Sequence, residues 1–166
     1  ALAAEQASLG SLAEICSWGM DGANGTNRAV LVLTESRARA LHIKPTGTGV
    51  VLLPVDQNTD VGLVQTLADG STDLARPLRG PFKRDRRPPL ETEIAAVQLA
   101  KAARLLPSAV VMPITDKSRL YAAERKFLTV TTSQIFDFEP SAALSLRQVA
   151  EAPVPLADAQ DCRLVA

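Results

Sequence analysis

The chain carries one histidine, two cysteines and no surplus of charge of either sign, and these shortages narrow its chemistry before any motif is read. Eighteen Lys and Arg residues balance eighteen Asp and Glu residues, for a formal net charge of zero. No global field therefore steers the molecule toward nucleic acid or an anionic membrane, and any anion site must come from local clustering. His42 stands alone, so a catalytic or metal-binding imidazole lacks the companion His or Cys side chains that would complete a site. Cys16 and Cys162 lie far apart with no paired spacing. That excludes a disulfide framework and a zinc site, and they read as buried or free thiols of a reducing, cytoplasmic compartment. No apolar run approaches the roughly 20 residues of a membrane span. No basic start followed by an apolar core marks a signal peptide. The sequence opens at Ala1 without a methionine and reads as a segment of a longer protein, with residues missing at both ends.

The 166 residues that are present, 46% hydrophobic and 22% charged, suit a soluble domain with its own core. Residues 8–18 place Leu9, Leu12, Ile15 and Cys16 at helical spacing, with Gly19 as a stop and a glycine-rich loop over 20–27. The runs 29–34 and 49–55 are continuously apolar and of strand length, as strands buried on both faces are. Thr34 can cap a short helix through Leu41, and Asp60 a second over 61–68. Residues 69–90, poor in apolar side chains and rich in Arg, Pro and Gly, read as a long surface loop. Ile94, Val97, Leu99, Ala100 and Ala103 give the next helix a broad apolar face, with Pro107 as its stop and a strand over 109–114. A helix capped by Asp116 or Ser118 and running to Phe127, a strand over 127–132 and a short helix over 134–139 complete the pattern. From about Glu151 the composition changes to that of a linker leading into a further strand. Alternating strands and helices put the chain in the α/β class or, closely related, mixed α+β.

Chemistry has few places to sit. Arg76, Arg79, Lys83, Arg84, Arg86 and Arg87 crowd into twelve residues. Guanidinium groups converging from a loop can hold a phosphate, although charges on a surface loop are also simply well solvated. Phe82 is the only aromatic in that stretch, which argues against single-stranded nucleic acid, since stacking platforms accompany such binding. The glycine-rich turns 22–27 and 47–49 match neither a phosphate loop nor a dinucleotide fingerprint. Glu91 and Glu93, two apart, do not share a helix face and suit the start of a helix through its dipole. Trp18, Met20, Met112 and Tyr121 read as core packing. On the residues alone there is no recognisable catalytic set and no metal site.

Ala1 to about Glu139 resembles 3,4-dihydroxy-2-butanone-4-phosphate synthase, a magnesium-dependent enzyme of riboflavin biosynthesis. The resemblance rests on ALAAE at 1–5, LTESRARALHI at 33–43, EIAAVQLAKAARLLPSAVVMPI at 93–114 and LTVTTSQIFDFE at 128–139. It implies that family's layered sheet with packed helices and a homodimer. It also implies that the family's chemistry is erased. The acidic metal-binding loop would precede Ala1. The Gly-His-Thr motif falls at Glu91, Thr92 and Glu93, so Thr92 replaces the metal-ligating histidine, and Pro113 replaces a catalytic glutamate. The histidine of ALHI stands where the family commonly has glycine. The Thr-Thr-Gly substrate loop would fall at Asp56 to Val61, which lacks that motif. Without the metal and the proton-transfer carboxylate, nothing stabilises an enediolate.

A narrower resemblance, carried by RPLRGPF at 76–82, LAKAARLLPSAVV at 99–111 and VPLADAQDCRLVA at 154–166, is to bacterial proteins of the GTP cyclohydrolase II type that carry a degenerate synthase-like half. It implies a synthase-like domain over 1–147 and, over 148–166, a linker and first strand leading toward a cyclohydrolase domain. That domain's zinc cysteines and GTP-binding residues lie outside this chain. The expectation is therefore a non-catalytic assembly or regulatory domain that needs no cofactor of its own. The alternatives are surviving synthase activity on ribulose 5-phosphate, or sensing of a phosphate ligand or nucleotide through residues 76–87.

Overall fold

The computed structural model describes residues 1–18, 28–71, 73–75, 80–114, 123–145, 147–155, 157 and 162–165. The chain divides into two compact units, Ala1–Phe136 and Asp137–Ala166. The expected loop over 20–27 with its Gly19 stop, the capping residues Asp116 and Ser118, and the side chains of Met20, Arg76, Arg79 and Tyr121 lie outside the described residues.

The first unit is built on a four-stranded sheet of Leu2–Ala3 (β1), Val30–Thr34 (β2), Val50–Pro54 (β3) and Ser108–Val111 (β4), in the order β1-β4-β2-β3. Every pairing is antiparallel, so of the two closely related classes expected, the arrangement is mixed α+β. The register sets Leu31 opposite Leu53 and Val110, and Val32 opposite Leu52 and Ala109. Successive side chains leave a strand on opposite faces. Leu31, Leu33, Val51, Leu53 and Val110 therefore enter one core cluster, and Val30, Val32, Val50, Leu52 and Ala109 a second. That two-sided burial explains the unbroken apolar runs in an antiparallel sheet that would otherwise alternate with polar residues.

Leu9–Ser17 (α1), Glu35–Ala40 (α2) and Val61–Ala68 (α3) contribute Leu12, Ile15, Ala38, Val64 and Leu67 to the first cluster. Glu91–Ala102 (α4) contributes Ala96 and Val97 to the second. The helix starts follow the expected chemistry. Ser8 accepts from the Ser11 N–H and its own N–H is accepted by the Ser11 hydroxyl. Thr34 accepts from Arg37, and Asp60 from Gly62 and Leu63. Each satisfies amide groups that the first turn leaves unpaired.

The helix ends differ from the expected pattern. Proline does not stop α4. Arg104 does, in the left-handed conformation (φ 59°), and the Leu105 N–H reaches back to the Ala100 carbonyl at 2.9 Å. His42 does the same for α2 (φ 58°), with the Ile43 N–H donating to the Ala38 carbonyl at 2.8 Å. This is the position where a residue without Cβ is least strained. The face that α4 buries also differs. Leu99 is 40% exposed and Ala103 is exposed, while Glu93, fully buried, lies inward with Ala96, Val97 and Ala100.

Three further expectations shift. β4 ends at Val111 instead of running to Ile114, short of Pro113, which has no N–H for a ladder. Residues 127–131 form no strand; instead Phe127 packs its ring against Trp18, centroids 5.7 Å apart. The helix expected over 134–139 is two helices, Thr132–Phe136 (α5), which lies against α4, and Phe138–Ser145 (α6), which belongs to the second unit. That unit also holds an antiparallel pair, Glu151–Pro153 (β5) with Arg163–Val165 (β6). Both cysteines are free thiols. Cys16 is buried, and its thiol is pushed above the usual range by desolvation and then by Asp56.

Candidate functional site

The described members of the basic stretch take different directions. Its middle follows the sheet edge, where the Asp85 N–H donates to the Leu52 carbonyl of β3 at 2.8 Å. Lys83 and Arg86 are exposed. Arg84 is half-buried, and its guanidinium donates to the Lys44 carbonyl at 3.4 Å. Arg87 turns the other way. Its guanidinium pairs with both carboxylate oxygens of Glu93, one at 2.9 Å, and its Nε lies 3.3 Å from Asp85. The hydrogen bonds and charge of Glu93, opposed by partial burial and reinforced by Asp85, hold the Arg87 guanidinium above its ordinary pKa.

Glu93 has no solvent exposure. Besides Arg87 it accepts from the Leu90 N–H at 2.7 Å, while its own N–H donates to the Leu90 carbonyl at 3.0 Å. A glutamate at the third helical position reaching back to the residue before the helix is half of a capping box. The sequence signal was available: two prolines, then Leu-Glu-Thr-Glu at the start of an apolar-faced helix. The inward direction of Glu93 and its pairing with Arg87 were not, because nothing in the spacing separates Glu91, which is exposed, from Glu93. The clamp flanks Thr92, the position where the synthase resemblance would place a metal-ligating histidine; the proton-transfer glutamate would fall at Pro113. Thr92, in place of the histidine, is exposed, and Pro113 is half-buried just past β4.

A second anchored carboxylate lies at the turn between α2 and β3. Glu35 accepts from the backbone N–H groups of Thr46 (3.2 Å), Gly47 and Gly49 (3.4 Å), and pairs with Arg39 at 3.1 Å. Desolvation pushes its pKa up, but the amides of Gly47 and Gly49, then Arg39 and Thr46, outweigh it and leave the group below the usual carboxylate range. Gly47 and Gly49 have φ of 81° and 87°, which is why glycine is used there and why the turn's amides can converge on one oxygen. The turn thus already holds an internal anion.

Arg37 is the third anchor. It donates to the carbonyls of Leu67 (2.7 Å), Thr66 (3.0 Å) and Asp69 (2.9 Å), closing the C-terminal end of α3, and pairs with Asp73. A cation there satisfies carbonyls that the last turn leaves open. His42 is exposed and serves as the left-handed stop of α2. Among the described residues, no three His, Cys, Asp or Glu side chains come together where they could hold a metal ion, and no helix is long and apolar enough to cross a membrane.

No protein-family model matches the chain, and no solved structure matches it. A curated protein does. The chain is 36% identical over 140 residues, 82% of its length, to GTP cyclohydrolase-2 of Azospirillum brasilense, and it spans 36% of that protein's length, so it is related to about a third of a GTP cyclohydrolase-2.

Proposed function

We propose that this chain is a non-catalytic domain of a riboflavin-biosynthesis protein of the GTP cyclohydrolase II type, where it assembles or regulates the downstream cyclohydrolase domain. The observation that carries the reading is the Arg87–Glu93 clamp. At the motif where a synthase would keep a metal-ligating histidine, this chain has an exposed Thr92 beside a glutamate consumed by an ion pair and a helix cap. Both oxygens of that buried carboxylate are already engaged, by the Arg87 guanidinium and the Leu90 N–H, which leaves it no free face for a substrate. The similarity to GTP cyclohydrolase-2 supports the pathway, the synthase resemblance supports a homodimer, and the two free thiols suit the cytoplasm. Zinc and GTP chemistry belong, in this reading, to the cyclohydrolase domain.

The test uses the parent protein. GTP turnover is expected with and without residues 1–147, with a change in rate or in oligomeric state, read by sedimentation, when they are removed. Ribulose 5-phosphate with magnesium is expected to remain unconverted. Magnesium-dependent conversion by the parent would sink the reading in favour of a surviving synthase. Sensing of a phosphate ligand through Arg76, Arg79, Lys83, Arg84, Arg86 and Arg87 is the second reading. It is favoured by the exposed charges of Lys83 and Arg86 and tested by reversing them.

A further inference from the structure

A cavity of about 310 Å³ opens beside α3 at the end of the sheet where β2 begins and β3 ends. Its floor is closed and apolar: Leu31, Leu53, Val64 and Leu67 line it, and none is more than 5% exposed. Phe82, packed against the same core cluster, supplies an aromatic wall, and Leu63, 37% exposed, belongs to the rim. Two cations from separate segments reach it. Arg28 comes from just before β2 and Lys83 from the segment along β3, and both are exposed. Among the described residues, no carboxylate lines the cavity. Thr59, the one hydroxyl among the described lining residues, already donates to Asp56 at 3.0 Å and accepts from the Asp56 N–H at 2.9 Å, so the polar groups those residues leave at the opening are cationic.

Cavities of roughly 300 Å³ and above with apolar walls and a few placed polar groups are the usual form of a small-molecule site. A guanidinium and an ammonium together suit a dianion better than a single carboxylate, the first as a fork and the second as a point charge. We propose that this cavity binds a heteroaromatic phosphate monoester, its ring against the Leu31–Val64 floor and its phosphate between Arg28 and Lys83. Neither Thr92 nor Pro113 lines the cavity. Thr59, however, comes from the stretch Asp56 to Val61 where the synthase resemblance puts its substrate loop, so the cavity shares that loop and not the metal and proton positions. It also does not rest on the assembly role: an empty cavity leaves that role standing, and ribulose 5-phosphate turnover by the parent leaves the cavity standing.

The probes are flavin mononucleotide, followed by its own fluorescence, and guanosine monophosphate, followed by calorimetry. Riboflavin and guanosine serve as ring-only controls and inorganic phosphate as the anion-only control. One monophosphate or the other is expected to bind with Kd below about 100 µM, and its control ring and inorganic phosphate at least about tenfold more weakly. Arg28→Glu and Lys83→Glu, both at exposed positions, are each expected to weaken binding about tenfold or more with an unchanged melting temperature. Leu63→Trp, which fills the rim, is expected to abolish it. Equal affinity for a monophosphate and its bare ring, insensitivity to both charge reversals, or no binding by either monophosphate below about 1 mM overturns the proposal.

Discussion

Arg86 and Arg87 are neighbours of one residue type, and the structure treats them as different objects. Arg86 stands in solvent, while Arg87 is tied to a carboxylate with no exposure at all. A run of charges on paper is therefore not a set of equivalent groups. What separates its members is the partner each one meets, and a buried partner decides more than the local density of charge. Surface pairs contribute little, whereas removing one member of a buried pair strands the other.

The largest test of that contrast is Arg87→Met, which leaves the Glu93 carboxylate buried without its counter-ion. We expect a loss of about 3 kcal/mol, the low end for a broken buried pair because Arg87 is itself 34% exposed, measured by urea unfolding. Glu93→Gln keeps an acceptor for the Leu90 N–H but gives up the charge, and should cost about 1–2 kcal/mol in the same assay. His42→Gly goes the other way. It relieves a left-handed non-glycine residue at the end of α2 and should gain about 0.5–1 kcal/mol, read as a raised melting temperature.

Glu35 sharpens the contrast from the acid side. Its folded pKa lies below its unfolded one, so the folded state binds this proton more weakly. Its stabilisation is complete above roughly pH 4.3 and drains away as pH falls toward the lowered folded value. Glu35→Gln should flatten the pH dependence of stability in that acid window and leave its slope near neutrality unchanged, as followed by chemical denaturation across pH. At the small end, Arg86→Glu should move stability by no more than about 0.5 kcal/mol. A larger loss would show that Arg86 has a structural partner and would break the distinction between the two arginines.

The central strands were legible because burial on both faces leaves an unbroken apolar run, and the caps Thr34 and Asp60 because their side chains act on amides two or three residues away. Residues 127–131 carry the same kind of β-branched and apolar sequence yet form no strand, since a strand needs a partner ladder and the sequence does not say whether one is within reach. Similarly, Arg104 could not be identified as the end of α4, because arginine pays a cost in the left-handed region that tertiary structure has to offset. Lys83 was picked out for its charge, but its companion Arg28 was not. The two meet only when β2 and β3 pair and bring their ends together.

The hydrogen bond from Asp85 to Leu52 bears on solubility. β3 is the outer strand of the sheet, and Val50–Leu53 is apolar, β-branched in part and uncharged, the composition that recruits a strand from another molecule. The backbone around Asp85 occupies one of its outward carbonyls, and Pro54 has no N–H to offer at the strand's end. The arginine-rich segment thus guards an edge as well as carrying charge. A protease cut between Phe82 and Arg87 would loosen that guard while leaving the sheet's own ladder whole, turning a folded domain into a template for its neighbours.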